Sequence, residues 1–328
     1  MNDCEKLMNI DISRFKECKI LVVGDLMIDR YLWGTVDRIS PEAPVQIVLV
    51  KDESVTLGGA GNVVNNLICL GAGVWVAGVT GKDDNGKLLS RKLNELGVDS
   101  QGIAWEEDRQ TTVKTRIIAA NQHVVRIDRE SRKKINPSTE DYIKKFLKEK
   151  IPDVDLVLVS DYGKGLVTKD LMAEIIQKVK KYDKRVIVDP KGLDFSKYSG
   201  ASLITPNKKE ASHVSGIEIL DDLTLNSAGL QILEKTDIGS LLITCGKDGM
   251  VMFERDKKPY KISAKARQVF DVSGAGDTVI AVLGLAIALG ISLKSSAAIA
   301  NTAAGLVVGK VGTATISQQE LADALRGS

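Results

Sequence analysis

The chain has 328 residues, enough for two ordinary domains or one large α/β domain with an embellishment. Its 45 lysines and arginines against 43 aspartates and glutamates give a formal net charge of +2, so no global field attracts nucleic acid or an anionic membrane. Hydrophobic residues make up 44% and charged residues 27%, which argues against disorder and fibrous repeats. Aromatic residues are only 4%, a balance that favours alternating helices and aliphatic strands.

Cysteine and histidine usage argues against structural metal or disulfide chemistry. The four cysteines lie far apart without a CxxC pair, and only two histidines are present. Cys69 and Cys245 lie in apolar sequence and are interpreted as small buried residues. The amino terminus has charges throughout and no apolar signal-peptide core, and no apolar stretch reaches the roughly 18 residues of a membrane span. We therefore expect a cytoplasmic protein.

Three short apolar runs predict buried parallel strands, and each ends on an aspartate. Residues 20–23 lead to Asp25, residues 156–159 to Asp161, and residues 186–188 to Asp189. In open sheets of this kind, ligands bind beyond the carboxyl ends of the strands. The sequence therefore predicts a ligand site where these aspartates lie.

Amphipathic stretches of helical spacing alternate with the strands, which predicts an α/β fold with a mostly parallel sheet. The predicted helices are 62–70, 85–96, 139–148, 169–181 and 223–235. Two small-residue-rich stretches after position 269 predict closely packed core helices.

Two segments, 31–50 and 101–128, break this alternation. Within the second, residues 111–119 and 123–127 flank Asn121-Gln122 like a hairpin. We expect them to form a small sheet inserted into the main domain. Such a sheet has exposed edges and one apolar face, which invites cover by a partner.

The stretch Gly274-Ala275-Gly276-Asp277 is the strongest chemical signal, because it stands immediately before a long predicted helix. Glycines let the backbone approach a ligand, and the free N–H groups at a helix start form an anion site that suits phosphate. Asp277 in the first turn could then accept a proton from a hydroxyl aligned with that phosphoryl group. The alternative is that these residues only make a turn and a helix start, worth about 1 kcal/mol.

Two further motifs accompany this stretch: residues 58–62 (GGAGN) form a second glycine-rich turn before a helix, and residues 205–210 (TPNKKE) follow another apolar strand. In this order and spacing the three motifs resemble the PfkB/ribokinase family of sugar kinases. The resemblance implies a single ribokinase-like, three-layer domain over residues 1–328, with helices on both sheet faces. It also implies that the inserted sheet is a lid over the sugar and a clasp between the subunits of a homodimer.

A branch of this family looks closer still, the kinases that phosphorylate D-glycero-D-manno-heptose 7-phosphate on O1. The segments that carry this likeness are 24–45, 159–165, 189–192, 205–210 and 300–317. The resemblance implies ATP and Mg²⁺ as cofactors, and it leaves the sugar anomer and any activating monovalent cation open. Many such kinases are fused to a nucleotidyltransferase; with only two histidines and no HxGH signature, we expect a stand-alone kinase here.

The resemblance also implies roles for individual residues around the nucleotide. Asp277 would be the catalytic base, with Gly274, Ala275 and Gly276 as the anion hole. Asn207 and Glu210 match an NxxE pattern that orients Mg²⁺, Glu210 through water, and the triphosphate. The remaining residues assigned to the nucleotide are Lys208, Lys209, Thr244 and Gly246. By spacing alone, Asn207 and Glu210 could equally form a helix capping box.

The sugar phosphate is assigned polar and cationic partners. Asp25, Asp29 and Asn62 can exchange hydrogen bonds with ring hydroxyls, while Gly58 and Gly59 let the substrate approach the backbone. The 7-phosphate needs cations, and the candidates are Arg116, Arg126, Lys164 and Lys191, with Lys191 and Arg126 preferred. Each of these charges could instead be an exposed surface charge, Asp29 a loop charge, and Asn62 a helix cap.

Two rival functions stay open at this point. The chain could be a PfkB kinase for another acceptor, such as ribose, a fructose phosphate or a nucleoside. It could also be a catalytically silent sugar-phosphate sensor that keeps the fold. The intact motif at Asp277 argues against the sensor.

Overall fold

A computed structural model describes residues 10–120, 122–264, 271–310 and 312–327. Asn121, which the sequence places in a hairpin turn, lies outside the described residues. The described strands, numbered along the chain, are β1 (Lys19–Gly24), β2 (Leu26–Ile39), β3 (Gln46–Gly59), β4 (Gly73–Gly81), β5 (Ile103–Glu106), β6 (Thr112–Ala119), β7 (Gln122–Arg129), β8 (Leu156–Ser160), β9 (Arg185–Asp189), β10 (Leu203–Ile204), β11 (Ser240–Thr244), β12 (Met250–Glu254) and β13 (Tyr260–Ile262).

The α-helices agree with the periodicity of the sequence. In the described ranges they are α1 (Ala60–Cys69), α2 (Asp84–Glu95), α3 (Pro137–Lys150), α4 (Lys169–Lys181), α5 (Lys208–Ser215), α6 (Asp222–Lys235), α7 (Ala275–Ala288), α8 (Leu293–Val307) and α9 (Gln318–Arg326). All five predicted amphipathic helices are present. The short helix α5 begins at the capping box that the spacing of Asn207 and Glu210 offered as an alternative, whereas α9 was not predicted. In the described part of the chain, no helix has the length and apolar character needed to cross a bilayer.

Across the described residues, nine strands form the main sheet, in the order β13-β12-β11-β10-β9-β8-β1-β4-β5. Pairing is parallel from β5 to β11, and β12 and β13 add an antiparallel edge. Strands β9, β8 and β1 are consecutive and parallel in this order, so their carboxyl ends lie side by side at one edge of the sheet. This topology brings Asp25, Asp161 and Asp189 to the same edge.

Successive side chains of β1 point to opposite faces of the main sheet, and helices pack against both faces. Ile20 and Val22 belong to one apolar cluster, which includes side chains of α1, α7 and α8. Leu21 and Val23 belong to a second cluster, which includes side chains of α3, α4 and α6. The predicted three-layer α/β fold is confirmed. Cys69 corrects one expectation, because it is exposed at the end of α1.

A second sheet, here called the accessory sheet, has the strand order β3-β2-β6-β7 among the described residues. β2 pairs antiparallel with β3 and parallel with β6, and β6 pairs antiparallel with β7. Its strands thus come from residues 26–59 and 112–129. Residues 103–106, which the sequence interpretation included in the insertion, pair with β4 in the main sheet instead.

Candidate active site

The turn before α7 provides an open helix start. Gly274 has a left-handed φ of 79°, and no described side chain caps the helix. A Cβ atom built on Gly276 would meet no described atom within 4 Å, so the first turn faces open space. Backbone amides at such a start, together with the helix dipole, favour an anion. This geometry suits the phosphate site predicted for residues 274–276.

Asp277 lies in the first turn of α7 and is buried, with 3% of its surface exposed. Asn62 Nδ2 donates to its Oδ2 and the hydroxyl of Tyr162 donates to its Oδ1, both at 2.8 Å. Burial raises the pKa of Asp277 to about 6, although the two hydrogen bonds act in the opposite direction. A carboxylate of this kind is ionised at neutral pH yet basic enough to accept a proton.

Asn62, assigned from sequence to the sugar, makes its side-chain bond to Asp277. It lies in the first turn of α1, immediately after the GGAGN glycines. Gly58 and Gly59 are needed there for steric reasons: a Cβ on Gly58 would lie 2.5 Å from Asp29 Oδ2, and Gly59 has a left-handed φ of 56°. The glycines thus allow close packing of this turn against β2.

The strand-end aspartates have different surroundings. Asp25 Oδ2 accepts the backbone N–H groups of Tyr162 at 2.8 Å and Lys164 at 3.0 Å, and its Oδ1 is buried without a hydrogen-bond partner in the described structure. Asp161 Oδ2 accepts bonds from Lys197 and Tyr198. Asp161 and Asp189 both line a cavity, and burial raises the pKa of Asp189 well above the ordinary range. Asp25, predicted to bind sugar hydroxyls, thus holds the loop after β8 with one carboxylate oxygen.

Arg116 and Asp29, which the sequence assigned separately to phosphate and sugar hydroxyls, form a buried ion pair with each other. The Arg116 guanidinium also lies 5.3 Å from the centre of the Tyr31 ring. The positive charge of Arg116 is therefore largely neutralised within the accessory sheet.

The other predicted phosphate ligands also have carboxylate partners. Arg126 binds its neighbour Asp128 through two bonds of 2.9 and 3.0 Å, and its side chain is exposed. Lys164 pairs with Glu130. Lys191 Nζ lies 2.6 Å from Glu210 Oε1. Lys191 is thereby placed beside residues predicted for the nucleotide, not with the cations of the accessory sheet.

Lys114 is a residue of the site that the sequence analysis missed. It lies on β6, opposite Asp29 on β2 and Asp128 on β7. Its ammonium group is 5.4 Å from the centre of the Tyr162 ring, and burial lowers its pKa. Side chains two apart on a strand share a face, so the spacing to Arg116 was a usable signal.

An apolar cavity of 270 Å³ lies between β11, β12, α7 and α8. Thr244 and Gly246, both predicted for the nucleotide, line it, as does Gly276. A second, polar cavity of 190 Å³ is lined by Tyr162, Asp189, Lys191, Asn207 and Glu210, and shares Thr244, Gly276 and Val279 with the first. The two cavities therefore adjoin at the start of α7, one suited to a flat apolar group and the other to charged groups.

Asn207 and Glu210 form the helix capping box that their spacing allowed, and both also line the polar cavity. Asn207 Oδ1 accepts the Glu210 N–H, and Glu210 Oε2 accepts the Asn207 N–H, which completes a capping box on α5. Both side chains nevertheless line the polar cavity. Lys208 lines a different, neighbouring cavity, and Lys209 is exposed, so neither lies with the other predicted nucleotide residues.

The open helix start, which suits an anion, and the buried Asp277 carboxylate beside two adjoining cavities fit a phosphotransferase. Comparison with known families makes the class specific. Residues 18–320 match the family described as pfkB family carbohydrate kinase, and the chain belongs to this family.

Curated relatives cover almost all of this chain. "Bifunctional protein HldE" of Desulfatibacillum aliphaticivorans is 56% identical over 319 residues, which are 97% of this chain and 65% of that protein. The protein of the same name from Geobacter sulfurreducens is 50% identical over 93% of this chain and 62% of its own length. The chain thus spans less than two thirds of these relatives.

Solved structures share the fold at low sequence identity. The structure of Arabidopsis thaliana ribokinase complexed with ribose and ATP has a TM-score of 0.74 at 20% identity, over 95% of this chain and 99% of that chain. Phosphofructokinase-2 from Escherichia coli in complex with potassium has a TM-score of 0.77 at 17% identity, over 94% and 98%. They confirm the ribokinase-like architecture.

Proposed function

We propose that this protein transfers the γ-phosphoryl group of ATP to O1 of D-glycero-D-manno-heptose 7-phosphate, giving heptose 1,7-bisphosphate. This product would serve ADP-heptose and lipopolysaccharide core synthesis. The support is membership of the carbohydrate kinase family, the likeness to relatives named HldE over nearly the whole chain, and the heptose-kinase motifs. The observation that carries the chemistry is the buried Asp277 carboxylate beside the open start of α7.

Asp277 is the base in this proposal. The acceptor hydroxyl gives its proton to the carboxylate as its oxygen attacks the γ-phosphorus, and ADP leaves with the bridging oxygen. Each carboxylate oxygen can accept a further bond, because Asn62 and Tyr162 each occupy one acceptor direction. The amides at Gly276 and Asp277 neutralise charge on the phosphoryl group.

The two adjoining cavities support the nucleotide part of the proposal. The apolar cavity takes the adenine, and the polar cavity beside Gly276 takes the phosphates. Glu210 would hold Mg²⁺ through water: both of its oxygens already accept bonds, from Lys191 and from Asn207, and Mg²⁺ keeps several of its waters. The metal would supply charge neutralisation on the phosphates. A cytoplasmic location belongs to this proposal, because ATP is the donor.

The accessory sheet supplies the cations for the 7-phosphate. Lys114 and Arg116 follow each other at two-residue spacing on β6, and Arg126 lies directly opposite Arg116 on β7. Arg116 is held in a buried ion pair with Asp29, whereas the pair between Arg126 and Asp128 is exposed and costs little to open, so we assign the phosphate contact to Lys114 and Arg126. A lysine and an arginine together give a point charge and a forked donor, which suit a dianionic phosphate.

A homodimer through the accessory sheet completes the proposal. The sheet carries exposed apolar side chains on its two outer strands. They are Leu49 and Val50 on β3 and Val124, Val125 and Ile127 on β7. Exposed apolar side chains on edge strands favour association with another chain.

The decisive experiment is ATP turnover against heptose 7-phosphate, ribose, fructose 6-phosphate and a nucleoside, with phosphorus NMR of the product. We expect the heptose to give the highest kcat/KM and a new phosphate ester at O1. A preference for another acceptor would replace the heptose assignment with that kinase activity. Absence of ADP release with every acceptor would instead favour a sugar-phosphate sensor.

The role of Asp277 is tested by Asp277→Asn, with Asp141→Asn on the exposed face of α3 as the matched control. We expect turnover to fall by a factor of about 10³ or more while ATP and sugar affinity persist. Turnover within tenfold of the wild type would reject the role.

A further inference from the structure

Tyr162 connects three parts of the site. Its hydroxyl donates to Asp277 Oδ1 at 2.8 Å, a good distance for an O–H group facing a carboxylate. The side chain also lines the polar cavity beside Gly276. Neither the family likeness nor the helix-start geometry assigns this tyrosine a role.

The loop that carries Tyr162 is held by the ends of two strands. Asp25 Oδ2, after β1, accepts the N–H groups of Tyr162 and Lys164, and Asp161 Oδ1, after β8, accepts that of Gly163 at 2.7 Å. Gly163 has a left-handed φ of 67°, which a glycine adopts without strain. The position of the Tyr162 backbone is therefore determined by buried carboxylates of the main sheet.

The accessory sheet contacts the same side chain from the other side. Lys114 Nζ on β6 lies 5.4 Å from the centre of the Tyr162 ring, within the range of a cation–π interaction. A lysine of the accessory sheet, an aromatic ring of the main domain and the carboxylate of α7 thus form one continuous set of contacts.

We propose that Tyr162 is a positioning residue for Asp277: its hydroxyl orients the carboxylate and favours its ionised form, and its ring couples that carboxylate to Lys114 of the accessory sheet. The inference rests on the proposed role of Asp277 as the base.

The charges around Asp277 agree with this assignment. The titratable groups that face it are Asp29 on β2, Lys114 on β6, Tyr162 after β8 and Asp189 at the end of β9. Asp29 adds to the effect of burial in raising the pKa of Asp277, whereas the Tyr162 hydroxyl and Lys114 lower it. Burial raises the pKa of Tyr162 itself well above its ordinary value, so the hydroxyl stays protonated and remains a donor across the working pH range.

The test is the pH profile of kcat/KM for Tyr162→Phe, which removes the hydroxyl and keeps the ring. Loss of a donor to the ionised form should raise the acid midpoint by about 1 pH unit, so that at pH 6 the variant keeps about a tenth of its high-pH plateau where the wild type keeps about half, an additional loss of about fivefold. The KM for ATP should stay within about twofold of the wild type. Tyr142→Phe is the control, because its hydroxyl donates to the Gln101 carbonyl at the surface.

A purely structural tyrosine would lower activity equally at every pH, and that result or an unchanged profile would overturn the inference. Lys114→Met provides a second variant that keeps the hydroxyl: its acid midpoint should also rise, by less, and an unchanged midpoint would refute the coupling to the accessory sheet. Asp277→Asn separates the two proposals. Retained turnover in that variant rejects the base itself, whereas an inactive Asp277→Asn with a wild-type profile for Tyr162→Phe rejects only the positioning role.

Discussion

The Asn62 amide donates to the Asp277 carboxylate at 2.8 Å, although 215 residues separate them along the chain. A second hydrogen bond between helices α1 and α7 is donated by Thr278 Oγ1 to Asn66 Oδ1 at 2.9 Å. The glycine-rich turns before α1 and α7 therefore form one site. Gly274 is part of the contact, because a Cβ there would lie 2.7 Å from Asn62 Nδ2.

Gly276→Ala should separate nucleotide binding from folding. The added methyl group meets no described atom, and alanine favours a helix over glycine, so the melting temperature should stay the same or rise. The methyl group would nevertheless occupy the junction of the two cavities. We expect KM for ATP to rise at least about tenfold, as one displaced phosphate contact would produce. Steady-state kinetics with an unchanged KM would contradict the nucleotide position.

Asp277→Asn should stabilise the protein, and the gain should depend on pH. The folded-state pKa of about 6 lies above the model value of 3.8, so the folded chain holds this proton more tightly than the unfolded chain. The carboxyl group therefore lowers stability as pH rises through that window, and the cost is complete above about pH 6. We expect the variant to gain about 1 to 3 kcal/mol at pH 8 and almost nothing at pH 4. Denaturant unfolding at both pH values checks this, and an equal gain at both would disprove it.

Lys191→Met should affect ATP more than the sugar phosphate. Its ammonium group binds Glu210 and the residue lines the polar cavity, which favours a contact with the nucleotide over the sequence-based assignment to the 7-phosphate. We expect KM for ATP to rise about threefold to tenfold, with a change below twofold for the sugar, since an exposed charge contributes modestly. Lys209→Met, on the exposed face of the same motif, is the control. A larger rise for the sugar would restore the original assignment.

Arg126→Gln and Arg116→Gln should differ although the two residues are opposite each other in the accessory sheet. Arg126 is exposed, so its loss should leave the melting temperature unchanged and raise KM for the sugar phosphate. Loss of Arg116 leaves Asp29 buried without its partner and should cost about 3 kcal/mol of stability. Thermal unfolding and acceptor kinetics of both variants check this. Equal stability losses would contradict the difference in burial.

Val125→Asp combined with Ile127→Asp should dissociate the proposed dimer. Both side chains are about half exposed on β7, and burying two carboxylates in an interface is unfavourable. Light scattering at micromolar concentration should give the monomer mass for this variant and the dimer mass for the wild type. Leu223→Asp, at an exposed leucine of α6, is the control that should leave the mass unchanged. A monomeric wild type would refute the proposal.

Much of the main sheet could be predicted from short apolar runs in the sequence. Buried parallel strands are short apolar runs, and the three runs that end on Asp25, Asp161 and Asp189 became adjacent strands. Helix α4 has the predicted bounds, because its apolar period and its cap at Thr168 are both local. The short helix α5 was indicated only by the capping-box alternative at Asn207 and Glu210, since its eight residues give too little periodicity to recognise.

The sequence by itself determined the layered fold, the family and the candidate base, because strand alternation, helix periodicity and glycine-rich helix starts depend on residues close together in the chain. Only the tertiary structure decided which partner each polar side chain takes. Arg116 binds Asp29, Lys191 joins Glu210, and Tyr162 reaches Asp277. These pairings depend on burial and on which distant residues the sheet edges bring together, since a charge removed from water needs a partner. The spacing of these residues along the chain does not indicate which of them become partners.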